Sequence, residues 1–145
     1  MSLKIYLAGK MSGLSFNEMN EWRNEAVSKL YNEADYCGKS IKVVNPVTYY
    51  NFEEKRHQTE IEVKEFDLTH VITSDIIIVN LVGLSDSIGT IIELHDAYYH
   101  HKIPVIAFGE KNLYDNLHPW VQNEITRVES SLDNAIEYIK EFYMR

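Results

Sequence analysis

The segment from Ser87 to Glu93 brings together residue types that readily support chemistry. Ser87 and Gly89 supply a hydroxyl and free backbone N–H groups at a predicted helix start, and Glu93 supplies a carboxylate about two turns further on. Because Ile92 and Leu94 flank Glu93, a buried carboxylate here would need a polar partner or ligand. The simpler interpretation of this local pattern alone is a glutamate that faces solvent on an amphipathic helix.

A second candidate segment is the loop Gly9-Lys10-Met11-Ser12-Gly13, which follows a short β-prone run. It is neither a Walker A sequence nor the Gly-x-Gly-x-x-Gly dinucleotide fingerprint, so ATPase and dehydrogenase functions lose their main support. Its backbone N–H groups, together with Lys10 and Ser12, could hold a phosphate or a sugar hydroxyl. An ordinary strand-to-helix turn is an equally good interpretation.

Other polar residues give weaker signals. Asp67 is a second carboxylate on a predicted helix, and taken alone it is better explained as a surface residue. Tyr6, Tyr49 and Tyr50 stand at predicted strand ends, where a ring can stack on a base, although most tyrosines simply pack with the hydroxyl in water. The histidines lack the spacing of a paired ligand site, so we predict no metal site and no cofactor.

Strands and helices alternate along the chain and must position these groups. The β-prone runs are Lys4–Ala8, Ile41–Pro46, Asp75–Val82 and Ile103–Phe108. Ser15 and Glu18 have the spacing of a capping box, ahead of a helix whose solvent face we predict to hold Glu21, Arg23, Asn24 and Glu25. Further helices are predicted from Thr59 to Thr73, from Ser87 to about His101 and from about Ser131.

This alternation predicts an α/β fold. We expect one domain over residues 1–145, built as a doubly wound, Rossmann-like parallel sheet of about five strands in flavodoxin-like order and flanked by helices. In such sheets ligands bind beyond the carboxyl ends of the strands, so any catalyst is expected in the loops there. The stretch between Gly109 and Ser131 gives no clear pattern.

Composition restricts the classes of partner. The formal charge of −8 disfavours binding to a nucleic acid polymer, although a helix N-terminus and one or two polar groups could still hold a single nucleotide. The apolar N-terminal stretch is much shorter than the roughly 20 residues of a membrane span, so we predict no signal peptide and no membrane anchor. The lone Cys37 suits a reducing compartment, and we expect a cytoplasmic protein.

Four segments together resemble the nucleoside 2-deoxyribosyltransferase family, which includes the related 2′-deoxynucleoside 5′-phosphate N-hydrolases. They are Tyr6-Leu7-Ala8-Gly9, the helix bearing Asp67, Ser74-Asp75-Ile76-Ile77-Ile78-Val79-Asn80, and Ser87-x-Gly89-x-x-x-Glu93. The order and spacing of these segments carry the resemblance, which extends to about Gly109. It implies an enzyme that breaks the N-glycosidic bond of a nucleoside or its 5′-monophosphate and passes the sugar to another base or to water.

The resemblance also implies roles for single residues. Glu93 would attack the anomeric carbon to form a covalent glycosyl ester, in a mechanism that retains configuration. Asp67 matches the family's acid that protonates the departing base, Tyr6 a residue beside the sugar, and Gly9 the loop that admits the ligand. The substrate contacts implied around them are Lys10, Met11, Ser12, Asp86, Ser87 and Gly89.

The sequence departs from the family pattern at three positions. Ser87 stands where transferases commonly have the aspartate that binds the sugar 5′-hydroxyl, and Asp86 lies one residue earlier. A serine there instead resembles the hydrolases, in which it receives a 5′-phosphate, but the arginine of their first loop is replaced by Ser12, which leaves Lys10 as the cation. Ile91 replaces a glycine common to both groups, which could narrow the pocket or shift the helix.

Family members commonly complete each active site from a neighbouring subunit, so the resemblance implies a homodimer or larger assembly. Asn116, His118 and Trp120 are the candidates for that contribution, and a plain structural turn explains them equally well. The main alternative is a non-catalytic nucleotide-binding or sensing module on the same fold, which Ile91 and Ser12 make credible. A structural or interaction protein is a third possibility.

Overall fold

The computed structural model describes residues 2–49 and 56–145, so Tyr50 lies outside the described residues. Within them the strands are β1 (Leu3–Ala8), β2 (Ile41–Val44), β3 (Ile76–Asn80), β4 (Val105–Phe108) and β5 (Arg127–Glu129). All are parallel and form one sheet in the order β2-β1-β3-β4-β5. The predicted α/β fold and its flavodoxin-like strand order are confirmed.

Helices connect the strands. They are α1 (Phe16–Cys37), α2 (Glu60–Ile72), α3 (Ile88–His95), α4 (Lys111–Asp115), α5 (Pro119–Gln122) and α6 (Leu132–Tyr143). The predicted capping box forms, because the Glu18 N–H donates to the Ser15 hydroxyl at 3.2 Å and the Ser15 N–H donates to the Glu18 carboxylate at 3.0 Å. No helix in the described part of the chain is both long and apolar enough to cross a bilayer.

Successive residues of β1 point to opposite faces of the sheet. Ile5 and Leu7 pack against residues of α1 and α6 on one face. Tyr6 and Ala8 share the other face with core residues of α2 and α3. Both faces are therefore covered, as a parallel sheet requires, and Tyr6 points to the side on which α3 carries Glu93.

The helix that starts after Ser87 differs from the prediction in detail. Ser87 occupies the N-cap position, but its hydroxyl makes no capping bond and lies 2.6 Å from the hydroxyl of Thr90. The α-helical geometry ends at His95, and a π-helical segment covers Asp96–His100. A single wider turn of this kind lets one helix continue while its later residues change direction.

The two edge strands are β2 and β5. On β2 the N–H of Val43 donates to the phenol oxygen of Tyr31, a residue of α1, at 3.1 Å. At the other edge β5 has three residues, and Arg127 forms an ion pair with Glu129 at 2.9 Å. The sequence did not predict β5, because one apolar residue between two charged ones is too short a pattern to indicate a strand.

Candidate active site

A pocket of about 820 Å³ opens beyond the carboxyl end of β1. The neighbours β1 and β3 send their connections to opposite faces of the sheet, which makes this the switch point where ligands bind in such folds. The loop after β1, the start of α2 and the start of α3 border the pocket. The predicted residues that line it are Tyr6, Gly9, Lys10, Met11, Ser12, Asp67, Asp86, Ser87, Gly89 and Glu93.

Tyr6 and Glu93, which are 87 positions apart in the chain, form a hydrogen bond in this pocket. The phenol of Tyr6 donates to Oε2 of Glu93 at 2.6 Å. Tyr6 is only 1% exposed, and burial together with the Glu93 charge raises the pKa of its phenol far above the ordinary value. Tyr6 therefore acts as a fixed, neutral donor to the carboxylate.

Glu93 is half-buried between charged groups of the site. Burial raises the pKa of its carboxyl group to about 8, and the charge of Asp67 acts in the same direction. The hydrogen bond from Tyr6 and the charge of Arg23 oppose that rise. A carboxyl group that lies in a cleft and has a pKa so far from its ordinary value is typical of functional sites.

Asp67 is held by a tyrosine from the loop after β2. The phenol of Tyr49 donates to Oδ1 of Asp67 at 2.7 Å. The Tyr49 ring stacks on His70 with centroids 5.0 Å apart and an interplanar angle of 20°, and it meets Phe66 edge to face at 5.0 Å. These two rings fix the direction from which the Tyr49 hydroxyl reaches the carboxylate.

The backbone at Gly9 passes too close to α1 for a side chain. A Cβ at Gly9 would lie 3.0 Å from Cζ2 of Trp22 and 3.2 Å from Nη2 of Arg23. Close packing therefore explains this glycine, whereas the positive φ expected in the loop occurs at Gly13, with 78°.

Lys10 and the start of α3 form the polar side of the pocket. The Lys10 side chain lies against Gly83 in the turn after β3, because a Cβ at Gly83 would be 2.7 Å from Cδ of Lys10. Asp86 is exposed, Ser87 is half-buried, and a Cβ at Gly89 would meet nothing within 4 Å. The first turn of α3 leaves backbone N–H groups without partners inside the helix, as every helix start does.

The prediction that Arg23 faces solvent is wrong. Its side chain is 0% exposed, lines the pocket, and lies over the Trp22 ring at 4.7 Å. The guanidinium donates to the carbonyl oxygens of Met19, Gly9 and Leu7, the last two at 3.0 and 3.4 Å. Desolvation lowers the pKa of Arg23 to about 10, so the group stays charged at neutral pH. A single arginine in a run of polar residues gives no sign of such burial.

Asn116, His118 and Trp120 are not among the described residues that line the pocket. Asn116 is the C-cap residue that follows α4, and Nδ1 of His118 accepts a hydrogen bond from the Trp120 N–H at 3.1 Å. Trp120 is 78% exposed. Their contribution to a neighbouring subunit stays a prediction.

Within residues 2–49 and 56–145 no group of three or more His, Cys, Asp or Glu is arranged to hold a metal ion.

Solved structures match this chain over nearly its whole length, although no family model and no curated protein matches its sequence. A conserved protein from Enterococcus faecalis V583 gives a TM-score of 0.72 at 18% identity, over 97% of this chain and 99% of that one. A 2-deoxyribosyltransferase from Bacillus psychrosaccharolyticus gives 0.60 at 21% identity, over 93% and 91%. This chain has the fold of a 2-deoxyribosyltransferase. The CMP N-glycosidase BcmB from Clostridium botulinum also matches, with a TM-score of 0.51 at 12% identity over 96% and 99%.

The 2-deoxyribosyltransferase fold is the one that the resemblance in the sequence implied. At these identities the likeness concerns the fold, so the roles of single residues rest on the site itself. Ile91 illustrates this, since it packs against the core on the α2 and α3 side and is not among the described residues that line the pocket. The extra bulk at this position is therefore taken up by the core.

Proposed function

We propose that the protein breaks the N-glycosidic bond of a (deoxy)nucleoside or its 5′-monophosphate, with Glu93 as the nucleophile. The observation that carries this proposal is the 2.6 Å hydrogen bond from Tyr6 to Glu93, in a pocket that Asp67 also lines. Two proteins with the same fold, a 2-deoxyribosyltransferase and a CMP N-glycosidase, are named for chemistry of this kind.

In the proposed first step a carboxylate oxygen of Glu93 attacks the anomeric carbon while the bond to the base breaks. Tyr6 donates to Oε2, so we assign the attack to Oε1. The electrons of the broken bond leave with the base, and the carboxyl group of Asp67 supplies the proton that the base takes up. The transition state resembles an oxocarbenium ion, whose positive charge the nearby carboxylate stabilises before it forms the ester.

The second step reverses the first with a different acceptor. A nitrogen of another base, or a water molecule, attacks the anomeric carbon of the ester and loses its proton to Asp67. Glu93 leaves as a carboxylate, and two displacements at the same carbon retain its configuration. Transfer and hydrolysis differ only in the acceptor, so they require the same residues.

The start of α3 bears on the 5′ end of the substrate. A 5′-phosphate would be favoured by the Ser87 hydroxyl, the N–H groups of the helix and Lys10, and repelled by Asp86. A 5′-hydroxyl could instead donate to Asp86. We expect Ser87→Ala to reduce turnover of monophosphates and Asp86→Asn to reduce turnover of free nucleosides, and the variant with the larger effect identifies the substrate class.

The test is a panel of nucleosides and monophosphates, with and without an acceptor base, followed by chromatography of the released bases. Acid-quenched protein is then examined by intact mass for an added sugar or sugar phosphate. We expect the adduct and turnover in the native protein and in Glu21→Ala, a control on the exposed face of α1, and neither in Glu93→Ala. Turnover that survives in Glu93→Ala would refute the nucleophile.

A second candidate function is a non-catalytic nucleotide sensor. The observation that favours it is the pKa of Glu93 of about 8, because a carboxyl group protonated at neutral pH can donate a hydrogen bond to a bound nucleotide. A sensor binds nucleotides without releasing base from any of them. Calorimetry on the same panel distinguishes the two, since an enzyme shows both binding and base release.

We further propose that a second copy of the chain completes the site through the segment with Asn116, His118 and Trp120. Trp120 is 78% exposed and available for such a contact. Mixing Glu93→Ala protein with Trp120→Ala protein is expected to restore activity, because some mixed sites would hold both native residues. Two inactive variants that stay inactive after subunit exchange, or a monomer in sedimentation, would reject this assembly.

A further inference from the structure

Arg23 carries a buried positive charge at the edge of the pocket. Its hydrogen bonds go to the carbonyl oxygens of Leu7, Gly9 and Met19, which are neutral acceptors. None of the ion pairs among residues 2–49 and 56–145 includes it. A buried charge without an opposite charge beside it is costly, so the presence of Arg23 at the pocket indicates a role beyond packing.

The charge of Arg23 acts on Glu93 at the centre of the site. It lowers the pKa of Glu93 against the burial that raises it, and the charge of Glu93 in turn opposes the desolvation that lowers the pKa of Arg23. The other groups that act on Glu93 are Tyr6 from β1 and Asp67 from α2. Further charged or titratable residues that line the pocket are Lys10, Tyr49, Arg56, His57, Glu60, Lys64 and Asp86.

The hydrogen bonds of Arg23 also fix the strand end that carries Tyr6. Leu7 and Gly9, whose carbonyl oxygens it binds, flank Ala8 directly after Tyr6. Nη2 of Arg23 lies 3.2 Å from the point where a Cβ of Gly9 would stand, so helix and strand end are in close contact. The same side chain therefore affects both the ionisation of Glu93 and the position of Tyr6, the two partners of the hydrogen bond.

We propose that Arg23 is a positioning residue, whose buried charge favours the ionised form of Glu93 and whose hydrogen bonds hold the end of β1 from which Tyr6 reaches it. The effect on turnover rests on the proposed function. The effect on the ionisation of Glu93 does not, because it is an interaction within the folded protein that can be measured without substrate.

Variants at Arg23 can separate charge from structure. Arg23→Lys keeps the charge but loses the planar fork of donors, whereas Arg23→Gln keeps two N–H donors and loses the charge. Arg23→Met is a second uncharged variant that retains much of the apolar length. Arg127→Gln on β5 is the matched control, because Arg127 is exposed and pairs with Glu129 outside the pocket. Circular dichroism and thermal unfolding establish which variants fold.

The decisive measurement is the titration midpoint of Glu93, followed by NMR of protein labelled with ¹³C at glutamate carboxyl groups and assigned by comparison with Glu93→Gln. We expect Arg23→Gln to raise the midpoint by about one pH unit, which lowers the ionised fraction about tenfold at neutral pH. Turnover should fall similarly in kcat with little change in KM, and should recover as the pH rises. Arg23→Lys and Arg127→Gln should keep the native midpoint.

Two results would overturn the inference. One is an unchanged midpoint in a folded, uncharged variant, because the charge then has no influence on Glu93. The other is failure of both uncharged variants to fold while Arg23→Lys folds, because the charge would then be required for folding. Absence of turnover in the native protein would reject the proposed function and leave the NMR midpoint to decide this inference by itself.

Discussion

Tyr49 donates its phenolic hydrogen to Oδ1 of Asp67 at 2.7 Å while His70 lies against its ring. Burial and the charges of Lys4 and Lys42 lower the pKa of His70, so its imidazole is neutral at physiological pH. The carboxyl group that we assign as the acid is therefore oriented by a tyrosine whose own position is fixed by a neutral ring. Proton delivery to a departing base depends on such orientation.

Removing the Tyr49 hydroxyl should impair the acid and leave the nucleophile intact. We expect Tyr49→Phe to lower kcat by about tenfold on ordinary substrates, and by less on nucleosides whose bases leave easily without a proton. Tyr36→Phe, at a position that is 82% exposed, is the control. An equal loss on both substrate types would mean that Tyr49 does not act through Asp67.

Activity should rise with pH through the titration of Glu93. The nucleophile is the ionised form, and its pKa is about 8, so kcat/KM on a substrate whose base leaves without a proton is expected to climb toward a plateau above that pH. Tyr6→Phe should move the midpoint upward, because the hydrogen bond from Tyr6 lowers the pKa of Glu93. Initial rates on such a substrate, which must itself not titrate in this range, give the profile without a contribution from the acid Asp67. A decline in kcat/KM across the range would indicate that protonated Glu93 is the active form.

The free energy of unfolding should fall as the pH rises, whereas activity should increase. The pKa of Glu93 is about 8 in the folded protein against an ordinary value of 4.5, so the folded state holds this proton more tightly. The resulting stabilisation is complete below about pH 4.5 and is lost as the pH rises to about 8. Glu93→Gln cannot ionise, and we expect it to exceed the native protein in free energy of unfolding by about 1–3 kcal/mol above pH 8, allowing for partial solvent screening.

Urea unfolding of both proteins at about pH 5 and about pH 9 measures this difference. The gap between them should be small at the lower pH and open at the higher one. An equal gap at both values would show that the substitution acts through packing or hydrogen bonding and not through the proton.

Two glycines of the pocket should respond oppositely to alanine. Gly9→Ala would place a Cβ 3.0 Å from the Trp22 ring, and we expect a loss of about 1–3 kcal/mol from overpacking. Gly89→Ala meets nothing within 4 Å in the first turn of α3, and we expect a gain of about 0.5–1 kcal/mol. If the substrate phosphate binds at this helix start, Gly89→Ala should also raise KM for monophosphates. Thermal unfolding of both variants shows whether each is stabilised or destabilised. Destabilisation by Gly89→Ala would contradict the open space found around this position.

The sequence predicted the architecture because its central strands are unmistakable. Ile76, Ile77, Ile78 and Val79 are all 0% exposed, which matches the continuous apolar run expected of a strand covered on both faces. The topology of a parallel sheet then placed the site at the carboxyl ends of the strands. The family resemblance selected Glu93, Asp67 and Tyr6 among the polar residues near those ends, and the structure brings all three to one pocket.

The contacts that the sequence did not predict depend on tertiary structure. Tyr49 and Asp67 are 18 positions apart in the chain, and no periodicity relates a loop residue to a helix residue at that distance. Arg23 has the composition of a solvent face, yet the end of β1 covers it and offers it carbonyl oxygens. Burial of a polar side chain is decided by the partners that the fold supplies, and local pattern does not contain them.

The two edge strands of the sheet limit how this protein can associate with other chains. An edge strand with unpaired N–H and C=O groups is a template for a strand of another chain and so for aggregation. One outward donor of β2, at Val43, is occupied by the phenol of Tyr31 from the same chain, and the short β5 presents the charged pair Arg127 and Glu129. Growth of the sheet by intermolecular strand addition is thereby disfavoured at both edges, so another chain that binds this protein is expected to contact its helices and loops.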